Sequence, residues 1–225
     1  MYDEYYKRHG ADRNDLLANP EVLFQSFAID RANISALRSM DVDRSTARVI
    51  DVGCGQGAGL LQFIKLGFSP SNLTGIDNSV ERIEKARQLL PAATFEVTSA
   101  ENLPFESGSF DLVFESTMLG TLESQSLLKS IAKEMIRVTR AGGYIMLADW
   151  RYSRRGSGVK TAISNQFVDR VFEVGSATSV VTRVRGALAP PLGRRLSRAA
   201  PSLYFLVQTL LPIAAAQMTT VLRKT

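Results

Sequence analysis

The chain of 225 residues predicts one α/β domain: a doubly wound, mostly parallel seven-stranded sheet with helices on both faces, closed by an antiparallel edge strand at the C-terminus. Three observations carry this. Short apolar runs alternate with helical patterns from residue 47 to 149, as in strands joined by right-handed crossovers. The first run, Val49-Ile50-Asp51-Val52, enters a turn with glycines at 53, 55, 57 and 59, where backbone can approach a ligand that any Cβ would strike. Beyond residue 150 two β-branched runs occur with no crossover unit between them, which predicts antiparallel pairing at the sheet edge.

The elements follow in order. Residues 1–44 read as a helical cap, 45–150 as the ligand-binding core, and 151–225 as a substrate region with an insert over 189–216. In the cap, Asn19-Pro20-Glu21 sets an N-cap before a proline at the first helical position. Val22, Leu23, Phe24, Phe27, Ile29, Ile34, Leu37 and Met40 then recur at broadly helical spacing. Ahead of them, Tyr2, Tyr5, Tyr6 and His9 share one face if that segment is a short helix. Strands are expected over 47–52, 73–77, 94–97, 111–114 and 144–148. Helices are expected after the glycine turn (Leu60 to Leu66), from Asn78 and Glu81 as a capping-box-like start, and over 124–139. A further helix from about 158 to 172 precedes strands over 178–184 and 219–222.

Composition narrows the function classes. A single cysteine excludes a disulfide framework and a cysteine-built metal site and suits a reducing, cytoplasmic setting. The acidic, aromatic start is unlike a signal peptide, and the apolar run from Ser202 to Ala216 is too short to span a bilayer. Residues 1–150 carry 15 Lys+Arg against 20 Asp+Glu, whereas 151–225 carry 12 against two. That asymmetry points the C-terminal third at something anionic or at a membrane surface, with a solvated arginine-rich face as the plainer alternative.

In such sheets ligands bind outside the carboxyl ends of the strands. Asp51, Asp77 and Asp149 all fall at strand ends. Asp77 comes 20 residues after Gly57, the spacing at which an acid ending the second strand reaches a ribose hydroxyl pair. A dinucleotide fingerprint, Gly53-x-Gly55-x-x-Ala58, is permitted. Asp51 argues against it, because a carboxylate there repels a pyrophosphate and suits a cofactor with an amino group and a cationic sulfur.

At these residues the chain resembles the class I S-adenosylmethionine-dependent methyltransferases, of the small-molecule type called methyltransferase domain 11. Val49 to Gly57 is similar to the family's first motif, and Gly75-Ile76-Asp77-Asn78-Ser79 to its second. Ala100 to Phe105, Ser109 to Val113 and Arg137 to Gly143 resemble later ones. The resemblance implies that Asp51, Gly53, Gly55 and Gly57 flank the methionine portion of S-adenosylmethionine, with Cys54 inside the turn as filler rather than a nucleophile. It implies that Asp77 holds both ribose hydroxyls, that Asn78 lies along the adenine, and that Ala100 and Glu101 line the adenine pocket. Ser99 departs from the acid usual before Ala-Glu. The resemblance further implies that Glu115 and Ser116 face the methionine end and the acceptor.

Methyl transfer is an in-line displacement, so alignment of the acceptor dominates, and an oxygen acceptor must also lose a proton. The base candidates are His9, the only histidine, and Asp149. Tyr5, Tyr6, Trp150 and Arg151 are the candidate substrate contacts. Glu115-Ser116-Thr117-Met118 differs from the motif of nucleobase amino methyltransferases, and no metal site is expected. The expected partner is a small acceptor, anionic or nucleotide-linked, such as a sugar or polysaccharide precursor; RNA is the alternative, as is a non-catalytic cofactor binder. The insert is expected to be a lid, a homodimer contact or a peripheral membrane contact.

Overall fold

The computed structural model describes Leu16 and residues 19–153 and 158–225. Seven strands form one sheet in the order β3-β2-β1-β4-β5-β7-β6. They are β1 (Val49–Val52), β2 (Leu73–Asp77), β3 (Thr94–Val97), β4 (Phe110–Ser116), β5 (Thr139–Trp150), β6 (Thr178–Arg185) and β7 (Gln217–Lys224). The first five are parallel, and β7 runs antiparallel to both β5 and β6. The antiparallel C-terminal strand is thus one place in from the edge, with β6 outermost. The helices are α1 (Leu23–Leu37), α2 (Ala58–Lys65), α3 (Val80–Leu89), α4 (Gln125–Val138), α5 (Asn165–Val171), α6 (Pro190–Ala199) and α7 (Tyr204–Leu210).

Central strands buried on both faces read as continuous apolar runs whose alternate residues serve opposite layers. Ile50, Val52, Val113, Ile145 and Leu147 pack with Leu128, Ile131 and Met135 of α4 and Phe167 and Val168 of α5. Val49, Leu112, Phe114 and Met146 pack with Leu60 and Phe63 of α2, Ile83 and Ala86 of α3, and Ala36 of α1. Parallel packing of this kind brings the carboxyl ends of β1, β2, β4 and β5 to one rim.

Three local expectations are corrected. The large apolar residues of the cap do not form the buried face of α1, whose buried positions are Ala28, Ala32, Asn33 and Ala36, while Phe27 is 49% exposed. Alanines at that spacing let the helix lie close on β6 and β7, where Thr219 Oγ1 donates to Asn33 Oδ1 at 2.9 Å. The cap of α3 is Ser79 rather than Asn78: Ser79 Oγ accepts from the Arg82 amide, and Asn78 is exposed. Only Asn165–Val171 of the stretch 158–172 is helical. Ahead of it, the Lys160 and Thr161 amides donate to Gly120 O at 2.7 and 3.1 Å, and the Ile163 amide donates to Trp150 O at 2.9 Å. Those bonds tie the segment to the rim instead of into helix.

The insert forms a lobe of α6 and α7 built on Ala187, Leu188 and Tyr204, with Ala28, Phe24, Trp150 and Phe205 packed against them. Among the described residues no helix is long and apolar enough to cross a membrane.

Candidate active site

Four glycines shape the turn after β1, and each has its own reason. Gly53, Gly55 and Gly57 have φ of +79°, +54° and +87°, which L side chains rarely adopt. The Gly53 and Cys54 amides both donate to Ile76 O at 2.8 Å, pinning the turn to the end of β2. A Cβ on Gly53 would lie 2.5 Å from Met118 Cγ, so the loop after β4 rests directly on the turn. At Gly55 no described residue lies within 4 Å of such an atom, so the turn is open there. Gly59, the fourth, was not assigned a role from sequence. Its Cβ would sit 2.5 Å from Asp51 Oδ2 and 3.0 Å from the Phe114 ring, so its hydrogen makes room for the carboxylate. Gly59→Ala is therefore expected to destabilise the fold by about 1–3 kcal/mol in thermal unfolding, although alanine ordinarily favours a helix by about 1 kcal/mol over glycine.

Asp51 is 3% exposed, and no described residue donates a hydrogen bond to its carboxylate. Burial, with the Asp77 charge adding, pushes it up to about 7. A buried carboxylate without an internal partner is a seat for a cation. Asp77 ends β2 and organises the turn: Oδ2 accepts from the Gly55 amide at 3.1 Å and Oδ1 from the Ser79 amide at 2.9 Å. Each oxygen keeps a free lone-pair direction for a ligand hydroxyl. Cys54 is buried against this turn, its thiol pushed far up by burial and then by the Asp51 and Asp77 charges. A thiol so held is packing, not a nucleophile.

Beyond β2, the Thr98 amide donates to Asp77 O at 3.1 Å and leads into a loop carrying exposed Ser99 and Glu101 and half-buried Ala100. Ser99 Oγ accepts from the Glu101 amide at 3.3 Å, so the hydroxyl shapes this loop. Asn78 lies exposed beside Asp77.

Glu115 and Asp149, at the ends of neighbouring strands β4 and β5, form a buried carboxyl pair. Glu115 is fully buried, and burial, then the Asp149 charge, pushes it well above the carboxylate range. Its Oε2 has no hydrogen-bond partner among the described residues, and the neighbouring Asp149 carboxylate favours the uncharged form of Glu115. Asp149 is raised to about 6 by burial and held lower than its neighbour by three bonds: the Trp150 amide, the Gly120 amide and Glu115. Gly120 N lies 2.7 Å from Asp149 Oδ2, Trp150 N lies 2.6 Å from Oδ1, and Met118 N lies 3.1 Å from Glu115 Oε1. A Cβ on Gly120 would lie 2.6 Å from Asp149 Oδ1. The pair thus holds the 117–121 loop, within which Thr117 has φ +60°, a strained value for a β-branched residue. Glu115→Gln is expected to fold within about 1 kcal/mol of the parent, since glutamine keeps the uncharged state that burial favours there, whereas Asp149→Ala leaves buried amides bare and should cost about 3 kcal/mol or more in urea unfolding.

Ser116 is half-buried at the end of β4. Trp150 packs under the lobe, and Arg151 ties it down, its amide donating to Ala216 O at 2.8 Å and Nη1 to Ala215 O at 3.4 Å. The structure therefore brings Asp51, the glycine turn, Asp77, Glu115, Ser116 and Asp149 to one rim. Tyr5, Tyr6 and His9 lie outside the described residues.

Residues 43–181 match the family model described as Methyltransferase domain, numbered 31 where the motifs resembled type 11. The chain is 30% identical over 192 residues to phthiotriol/phenolphthiotriol dimycocerosates methyltransferase 1 of Mycobacterium ulcerans, covering 75% of this chain and 68% of that one. It is 37% identical over 106 residues to 2-methyl-6-phytyl-1,4-hydroquinone methyltransferase of Synechocystis, covering 45% of this chain but only 31% of that one. Among solved structures it is similar to a SAM-dependent methyltransferase of Methanosarcina mazei (TM-score 0.60, 17% identity, 81% and 94% covered). It is also similar to the cyclase SpnF (TM-score 0.61, 17% identity, 87% and 81% covered). Those two likenesses concern the fold alone. A buried acid at β1 with no hydrogen-bond donor among the described residues, an acid ending β2 and a turn open at Gly55 fit S-adenosylmethionine, and with these matches the chain belongs to the class I S-adenosylmethionine-dependent methyltransferases.

Proposed function

We propose that the protein methylates an oxygen, or a nitrogen, of a small amphiphilic acceptor that has a polar head and an apolar portion. The observation that carries this is the apolar lobe packed on Trp150 at the end of β5, beside the rim where the acceptor must sit. The two relatives' acceptors, phthiotriol or phenolphthiotriol dimycocerosates and a phytyl hydroquinone, support it. A sugar remains compatible as the polar head of such a molecule.

When bound, S-adenosylmethionine supplies an electrophilic methyl group. Asp51 would hold its cationic amino end and Asp77 its ribose hydroxyls, with the turn open at Gly55 between them. Glu115 and Asp149 hold the 117–121 loop against Gly53, so in this reading Asp149 is a positioning residue and His9 takes the acceptor proton. The basic C-terminal third offers little to RNA. Lys160, Arg183 and Arg198 pair with Glu123, Asp169 and Glu21, and Arg151, Arg223 and Lys224 donate to backbone carbonyls.

A screen of hydroxylated amphiphiles, free sugars and RNA for S-adenosylhomocysteine release tests the reading. Turnover with an amphiphile is expected, and turnover confined to free sugars or RNA would overturn it. His9→Ala should lower kcat by about 10²-fold or more, the usual contribution of an acid–base group. Asp149→Asn should lower it less, through a loosened loop.

A further inference from the structure

We propose that the α6–α7 lobe docks this enzyme onto an anionic lipid surface. Helix α7 is turned inside out for a water-facing element. Tyr204 and Gln208 point into the protein, while Leu203, Leu206 and Leu210 follow at spacings of three and four residues on the outer face. Leu210 is 68% exposed, and Ile213, in the next turn, is 80% exposed. Leu211 and Leu192 of the same lobe are also exposed. Exposed leucines scattered singly need no explanation, but a contiguous apolar patch marks a surface that meets something.

Charge selects the occupant. Residues 186–216 contain three arginines and no acidic residue. Arg195 is exposed on α6, and Arg198 beside it is exposed while paired with Glu21. On the neighbouring helix α1, exposed Arg31 lies over the Phe205 ring at 5.2 Å and donates to Gln208 Oε1 at 2.6 Å. An apolar face rimmed by guanidinium groups is complementary to acyl chains below and anionic headgroups beside them. A second copy of this chain would set the same arginines against one another and bring no acid from the lobe. The lobe is also rooted at the reaction rim, through Trp150 in its apolar core and the Arg151 bonds to Ala215 and Ala216. Docking through α7 would thus set the acceptor side of the rim at the lipid boundary. The docking stands apart from the identity of the acceptor, and its test needs no turnover.

The test is flotation of the full chain with vesicles of phosphatidylcholine alone or with phosphatidylglycerol added. Binding is expected only with the anionic vesicles and should weaken as salt is raised. Leu206→Ser/Leu210→Ser/Ile213→Ser together should lower the bound fraction by at least about ten-fold, and Arg195→Glu by several-fold. S-adenosylmethionine affinity by calorimetry should be unchanged in each, since none touches the rim; should the triple variant misfold, Ile213→Ser alone decides. Absence of flotation, equal binding of the serine variant, or a dimer in sedimentation equilibrium that the serine change dissolves without any vesicle binding would each overturn the proposal.

Discussion

Replacing Asp77 by alanine is expected to weaken S-adenosylmethionine binding by about 10²-fold or more while the sheet stays folded. Two contributions add. The carboxylate is placed to accept from two ligand hydroxyls, and a hydrogen bond to a charged group is worth about 1.5–3 kcal/mol. It also fixes the turn itself through the Gly55 and Ser79 amides, so its loss frees the backbone that must approach the ligand. Asp77→Asn keeps one acceptor oxygen and should fall between. Calorimetric titration gives the affinities and far-ultraviolet circular dichroism checks the fold; unaltered binding by Asp77→Ala would remove the residue from the cofactor site.

The second large effect is a pH dependence set by Asp51. Its carboxyl is raised from 3.8 to about 7 by burial and by Asp77, so the free protein holds that proton up to near neutrality. A cationic ligand favours the ionised form, so binding must expel the proton. Affinity is therefore expected to be nearly flat above pH 7 and to fall about ten-fold between pH 8 and pH 6. Calorimetry at pH 6 in buffers of different ionisation enthalpy should register about one proton released. Stability of the ligand-free protein carries the opposite mark. Between about pH 4 and 7 the native state binds a proton that the unfolded chain has lost, so this group's contribution declines as pH rises, by about 4 kcal/mol at most. Asp51→Asn should flatten both profiles relative to the parent; an affinity that stays flat in the parent would refute the account.

The core was readable because its physics is local. Strands buried on both faces must be apolar throughout, and an acid ending such a run, as at Asp51 and Asp77, has few purposes besides a ligand. What escaped depends on neighbours that pattern does not name. The buried ridge of α1 is made of alanines and Asn33, chosen for close approach to β6 and β7, while hydrophobic periodicity weights the larger Phe27, which faces water. Gly59 reads in sequence as one more glycine of the turn, and only the fold sets Asp51 Oδ2 beside it. Asp149 was readable as a strand-end acid, but its partner Glu115 and the amides of Gly120 and Trp150 come together only in the folded sheet. The segment 158–164 adjoins a true helix but holds mostly weak helix formers (Gly158, Val159, Thr161, Ile163), and Gly120 O and Trp150 O take its amides instead.

The place of β7 has a further consequence, for how the chain is made. This strand follows every other element of the sheet in sequence, yet it is hydrogen-bonded on both sides, to β5 and to β6. Its partners on β5 lie 67 to 79 residues earlier, among the long-range pairings that slow folding. While residues 217–224 are still within the ribosome, β5 and β6 each present a bare edge, and the strand bearing Asp149 lacks its neighbour. The glycine turn and β1 to β4 can assemble during synthesis, but the acceptor half of the rim waits until residues 217–224 have emerged. A nascent chain of this protein is therefore expected to acquire its methyl-donor seat before it can hold anything to methylate.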